Sequence, residues 1–128
     1  MNAIPDILEM HTYYCKLSDG AKAIANVAVL NPYGEAPLLR DLRARGYQTF
    51  GTVLIEELSE HPEQIKLVWA IEPNNSVTIR PARGESQPDQ RLVGLACDAV
   101  DAFIEQVMDE VVRKNPVLSE LAPKPSLH

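Results

Sequence analysis

The sequence predicts an α+β domain in two layers: an antiparallel sheet of about five strands, with a short helix and a long C-terminal helix packed on one face. Three observations predict it. Asp19-Gly20 separates two apolar runs and suits the type I′ turn of a hairpin, whose central residues need positive φ. Residues 65–71, IKLVWAI, alternate: Ile65, Leu67, Trp69 and Ile71 fall on one face, Lys66, Val68 and Ala70 on the other. Leu92, Ala96, Val100, Phe103, Ile104, Val107 and Val111 recur at helical spacing.

Residues 7–17 read as the first strand and residues 21–30 as its return, with Val27 and Val29 alternating with Ala28 and Leu30. The rival reading of 21–30 is a helix capped by Ser18, because the segment is rich in alanine. Asn31-Pro32-Tyr33-Gly34 is a turn. Residues 36–46, APLLRDLRARG, predict a short helix. Leu38, Leu39 and Leu42 form its buried stripe, Arg40, Arg43 and Arg45 lie toward solvent, and Gly46 supplies the left-handed cap.

Residues 47–58, YQTFGTVLIEEL, predict a strand, with Gly51 as the place for a bulge. Asn74-Asn75 suits a tight turn between residues 65–71 and the return strand VTIR, 77–80. The long helix is expected over 88–114, with Ser86 and Asp89 at capping-box spacing and Asn115-Pro116 as its stop. At 1.5 Å per residue it would be about 40 Å long, enough to cross a whole sheet. A single domain is expected over 1–116, and a flexible tail over 117–128.

The chain has 128 residues and a formal net charge of −6, which fits one domain and argues against broad binding to nucleic-acid phosphates. Cys15 and Cys97 are the only cysteines, and a domain of this size builds a core without a bridge. The N-terminal residues MNAIPDILEM lack the basic and apolar regions of a secretory signal, and no apolar run approaches the roughly 18 residues needed to span a bilayer. A cytoplasmic location is therefore expected, with no membrane partner, no direct nucleic-acid partner and no cofactor.

Four groups of residues invite a chemical reading. His11 and Cys15 have the types of a nucleophile and its base, but on a strand positions i and i+4 lie about 13 Å apart. A packed thiol and a half-exposed imidazole are the expected outcome. Tyr13 and Tyr14 point to opposite strand faces, one toward the helices and one outward to solvent or a partner. Glu60, His61 and Glu63 cluster in a loop, yet nothing completes a metal-ligand set around them.

The fourth group is electrostatic. Asp98, Asp101, Glu105 and Asp109 make one acidic stripe along the long helix, with no Lys or Arg between Arg91 and Arg113. Arg40 and Arg43 on the short helix are complementary to it. There is no Gly-rich phosphate loop, no G-x-S-x-G, no H-E-x-x-H and no CxxC.

The function expected from these features is a small acidic protein-interaction or accessory factor, of inhibitor or chaperone-like type. It is expected to be non-enzymatic and homodimeric, binding a protein partner through Asp98, Asp101, Glu105, Asp109, Arg40 and Arg43. Its dimer contact would use either the apolar surplus of the helix (Leu92, Val93, Leu95, Met108 and Val112) or an open sheet edge. The alternative is a small-molecule-binding domain or minor enzyme. Its pocket between sheet and helices would be lined by His11, Tyr13, Tyr47 and Trp69, with Phe50, and His11 would act as acid and base. A third reading is an acidic mimic of nucleic acid.

Overall fold

A computed structural model describes residues 6–17, 19–59, 64–81 and 90–114. The elements run β1 (Ile7–Lys16), β2 (Lys22–Leu30), α1 (Pro37–Ala44), β3 (Thr49–Leu58), β4 (Gln64–Ile71), β5 (Val77–Pro81), α2 (Gln90–Gln106) and α3 (Met108–Lys114). The strands form one antiparallel sheet in the order β1-β2-β3-β4-β5. The α+β class and the five-stranded antiparallel sheet are as the sequence predicts.

The turns fix this order. Gly20 has φ of 91°, and Asp19 accepts the Ala21 N–H at 2.9 Å. Leu17 N–H donates to Ala21 O at 2.7 Å, closing the β1–β2 hairpin. Residues 22–30 are therefore strand, not the rival helix. Their alanines serve another purpose: Ala23 and Ala25 lie buried on the helix-covered face, where small side chains let a helix approach. The β4–β5 turn uses Asn75 at φ 71°, while Asn74 Oδ1 accepts from the Ser76 N–H at 3.0 Å and hydroxyl at 2.7 Å.

The core divides by strand parity. Ala23, Ala25, Val27, Val29, Val53, Ile55, Leu67 and Trp69 face Leu92, Ala96, Val100, Phe103, Met108 and Val111 of α2 and α3 in the main cluster. Leu30, Phe50 and Ala70 pack with Leu39 and Leu42 of α1 in a second cluster. Phe50 and Val53 have opposite parity on one strand, so the short helix lies on the face opposite α2, whereas the sequence reading put both on one face. The apolar even positions of β3 and β4 are the cause: Phe50, Val68 and Ala70 need a cover of their own.

α1 ends in a Schellman motif, with Tyr47 N–H donating to Leu42 O at 3.2 Å, Gly46 N–H to Arg43 O at 2.9 Å, and Gly46 at φ 91°. The long helix is interrupted at Val107 between α2 and α3. Backbone bonds from Val107 N–H to Phe103 O (2.9 Å) and from Val111 N–H to Val107 O (3.0 Å) carry the pattern across the break. The expected cap at Ser86–Asp89, the stop at Asn115-Pro116, the loop cluster Glu60, His61 and Glu63, and the tail 117–128 lie outside the described residues.

Gly51 marks no bulge. Its pairings with Val29 and Trp69 are in register, and the one shift lies in β1 between Ile7 and Glu9. Gly51 is instead the floor under Trp69, since a Cβ there would lie 2.5 Å from the indole and collide with Ala28 O. Trp69 Nε1–H donates to Thr52 O at 3.1 Å, so the buried indole is satisfied.

Candidate functional site

The four residues proposed to line one pocket are not brought together. Trp69 is fully buried against α2. Tyr47 packs on the opposite side with α1, as does Phe50. Tyr13 packs against the main cluster from β1, where burial raises the pKa of its phenol. His11, also on β1, meets Phe103 edge-on with ring centroids 5.6 Å apart, and its Nε2 lies 3.6 Å from Glu9 Oε1. The α2–sheet interface is filled by Leu92, Ala96, Val100 and Phe103, each at 0% exposure, so these side chains enclose no ligand-sized space.

The thiols are not activated. Both cysteines are free. Burial pushes the Cys15 thiol pKa up, and the Asp98 carboxylate adds to the rise. Burial likewise raises that of Cys97, reinforced by Asp101 and Asp98 and opposed by a backbone hydrogen bond. A nucleophilic cysteine needs the reverse shift. His11 and Cys15 share one extended strand, which holds them about 13 Å apart. Among the described residues no group of three His, Cys, Asp or Glu side chains could hold a metal ion, and no helix is long and apolar enough to cross a membrane.

Asp98, Asp101, Glu105 and Asp109 are all exposed. They form an acidic crest along the exposed side of α2 and α3, with Asp98 near enough to β1 to act on Cys15, and among the described residues no ion pair neutralises it. The two arginines of the sequence reading part company. Arg40 is exposed, whereas Arg43 turns inward, its Nη1 donating to Pro32 O at 2.6 Å and Gly34 O at 2.9 Å. It ties α1 to the loop after β2 instead of facing solvent, because the buried turn at Asn31–Gly34 leaves carbonyls to satisfy. Arg91 fastens the start of α2 to the sheet through Asp19 at 3.1 Å and Glu57 at 3.6 Å.

The apolar surplus of the helices is spent on the core. Leu92 and Met108 are buried, and Val93, Leu95 and Val112 pack against the same cluster. Exposed apolar surface gathers on the other face of the sheet. α1 covers only the end near Leu30, Phe50 and Ala70. Beyond it Tyr14 is 82% and Met10 55% exposed. Pairing carries the patch inward from Tyr14 to Ile24 and from Asn26 to Leu54, with Thr12 Oγ1 donating to Asn26 Oδ1 at 2.7 Å at its centre.

Lysines edge this patch. Lys16 and Lys22 stand directly opposite each other across β1 and β2, and Lys66 pairs with Leu54. Like charges placed across a strand pair are destabilising, so the Lys16–Lys22 pair works against the β1–β2 pairing. Sequence reasoning singled out Tyr14 as one of two outward candidates but missed Met10, Lys16 and Lys22. Their signal was the shared parity of Met10, Thr12, Tyr14 and Lys16 on β1.

A shallow cleft of about 150 Å³ lies between α1 and β4–β5, where Leu38, Leu42, Val68 and Ala70 meet Tyr47, Arg45 and Arg80. Arg45 is paired there with Asp41 at 3.2 Å. Neither the protein-family models, the curated proteins nor the solved structures yielded a match to this chain.

Proposed function

We propose that this chain is a small non-enzymatic protein-interaction factor, homodimeric, of the inhibitor or chaperone-like kind, which holds its partner on the open face of the sheet. One observation carries the reading: the helix-covered face is packed with buried apolar side chains, while the opposite face leaves Tyr14, Met10 and Leu58 exposed beside facing lysines. Exposed apolar surface rimmed by charge is the usual mark of a protein contact. The activating features of an enzyme are missing from the same ground, with His11 packed on Phe103 and both thiols shifted away from the thiolate.

The acidic crest supplies a second docking surface of opposite sign, together with Arg40 for anionic groups. It is also the surface that a mimic of nucleic acid would present. Capture of partners from lysate separates these uses. The wild-type chain is compared with a Tyr14→Ala/Lys22→Glu variant and with one in which Asp98, Asp101, Glu105 and Asp109 are neutralised. A partner set lost with the open-face variant supports the proposal. Loss only on neutralising the crest moves the partner to α2, and a set unchanged in both removes both surfaces.

The cleft beside α1 favours the small-molecule reading, at a place other than the one the sequence suggested. Its apolar floor and the Arg80 guanidinium, with Arg45 held by Asp41, suit a small apolar carboxylate. Titration with such acids, monitored by the fluorescence of Tyr47 and its neighbours, tests it. The absence of a saturable response in the wild type, or a response that Arg80→Ala leaves unchanged, would count against it.

A further inference from the structure

The proposed homodimer needs a contact, and among the described residues no strand pairs with the outer edge of β1. The two edges of the sheet are β1 and β5, and they are treated differently. β5 has 5 residues and ends in Pro81, with no exposed large apolar side chain. β1 has 10 residues, contains neither proline nor glycine, and is regular from Glu9 to Lys16. Edges are normally blunted by proline, charge, bulges or shortness. β1 has its single bulge at the start, and residues 10–15 carry no acidic or basic residue apart from His11.

Ile7, Met10 and Tyr14, three of the five exposed large apolar side chains among the described residues, lie on this one strand. Ile7 pairs with Leu30, which packs on the α1 side, so all three share the open face.

We propose that β1 pairs antiparallel with β1 of a second copy about a two-fold axis at Thr12, extending the sheet continuously across both chains. This deepens the homodimer reading and rests on it. The choice of a second copy follows from charge and from self-complementarity. Each chain carries −6, yet the central stretch of β1 carries no formal charge, and Asp101, Glu105 and Asp109 lie on the exposed side of the helices, with Asp98 the crest member whose charge is felt on β1, at Cys15. Two copies therefore meet here without strong repulsion, whereas an acidic or basic strand of another protein would find no charge to read.

The register follows from the side chains. A two-fold axis perpendicular to the sheet places residues of one face opposite each other. Centred on Thr12, it sets Met10 against Tyr14 of the second copy on the open face, and His11 against Tyr13 on the helix side. Centred on Tyr13, it would set Met10 against Lys16. Centred on His11, it would set the two imidazoles against each other and Tyr14 against the bulge at Leu8. Of these centres, only Thr12 sets the exposed apolar side chains Met10 and Tyr14 against each other.

The test is register-specific cross-linking with sedimentation, in the full chain with Cys15→Ser and Cys97→Ala. At the axis, Thr12→Cys would place paired Cα atoms about 5 Å apart, inside the range of a disulfide. Lys16→Cys would place them about 27 Å apart. The expected result is a dimer by sedimentation, an intermolecular disulfide from Thr12→Cys on mild oxidation, and none from Lys16→Cys. Tyr14→Lys, at an exposed position that folding does not need, is expected to weaken the dimer about tenfold or more, as loss of a buried aromatic contact does. A monomer at every concentration overturns the proposal, and so does a dimer that Thr12→Cys fails to link or that Lys16→Cys links equally. Either failure leaves the partner-binding reading standing, because lysate capture by Lys22→Glu alone, on β2 and outside the β1–β1 contact, judges that separately.

Discussion

Trp69 and Gly51 are directly paired across β3 and β4, and neither position makes sense alone. The indole lies over a residue without a side chain and turns its N–H to Thr52 O. Gly51→Ala places a methyl against the indole and the Ala28 carbonyl, both of them buried and backed by packed neighbours. Overpacking of this kind is expected to cost about 3 kcal/mol, to be read as a lower urea midpoint with unchanged slope. The thiols make a second residue-scale prediction. Burial and then the Asp98 charge raise the Cys15 pKa, and Asp98 also contributes at Cys97. Removing a negative charge favours the thiolate, so Asp98→Asn lowers both thiol pKa values. Iodoacetamide should then alkylate both cysteines faster at a fixed pH below their pKa. A rate that stays level or falls would show that Asp98 does not bear on them.

At the scale of elements, the strands and turns were legible in the sequence because each has a local cause. Asp19-Gly20 and Asn74-Asn75 carry their own turn chemistry, and positive φ falls at Gly20 and Asn75. The face taken by α1 was not legible. Leu38, Leu39 and Leu42 announce a buried stripe but not the sheet face that receives it, which depends on the apolar even positions Phe50 and Ala70. Arg43 was misplaced for a similar reason: its partners are carbonyls of Pro32 and Gly34, distant in sequence and visible only once the loop folds back. α2 itself carries a defect that its packing does not require. Gly94 is exposed, with nothing within 4 Å of a Cβ built there. Gly94→Ala is expected to stabilise the chain by about 1 kcal/mol, seen as a rise in melting temperature.

Among the described residues the charges gather unevenly, although Glu56 stands beside Ile24 on the open face of the sheet. Asp98, Asp101, Glu105 and Asp109 crown the helices, while Lys16, Lys22 and Lys66 edge the open face of the sheet. The stripe on the helix could be read from the sequence, since helical periodicity gathers it. The basic and apolar patch could not, because its members come from three strands and meet only through the register. The proposed pocket failed as a single site for the same reason in reverse: Tyr47 and Trp69 come from opposite faces. The helices cover one side of the sheet, α1 covers only part of the other, and among the described residues no strand pairs with the outer edge of the 10-residue β1, the edge proposed to pair with a second copy. Amide hydrogen exchange along β1 tests that most directly. Amides throughout residues 9–16 are expected to be protected as well as those of β2, which has a neighbour on each side. Fast exchange at alternate β1 amides, the pattern of a strand paired on one side only, would contradict it.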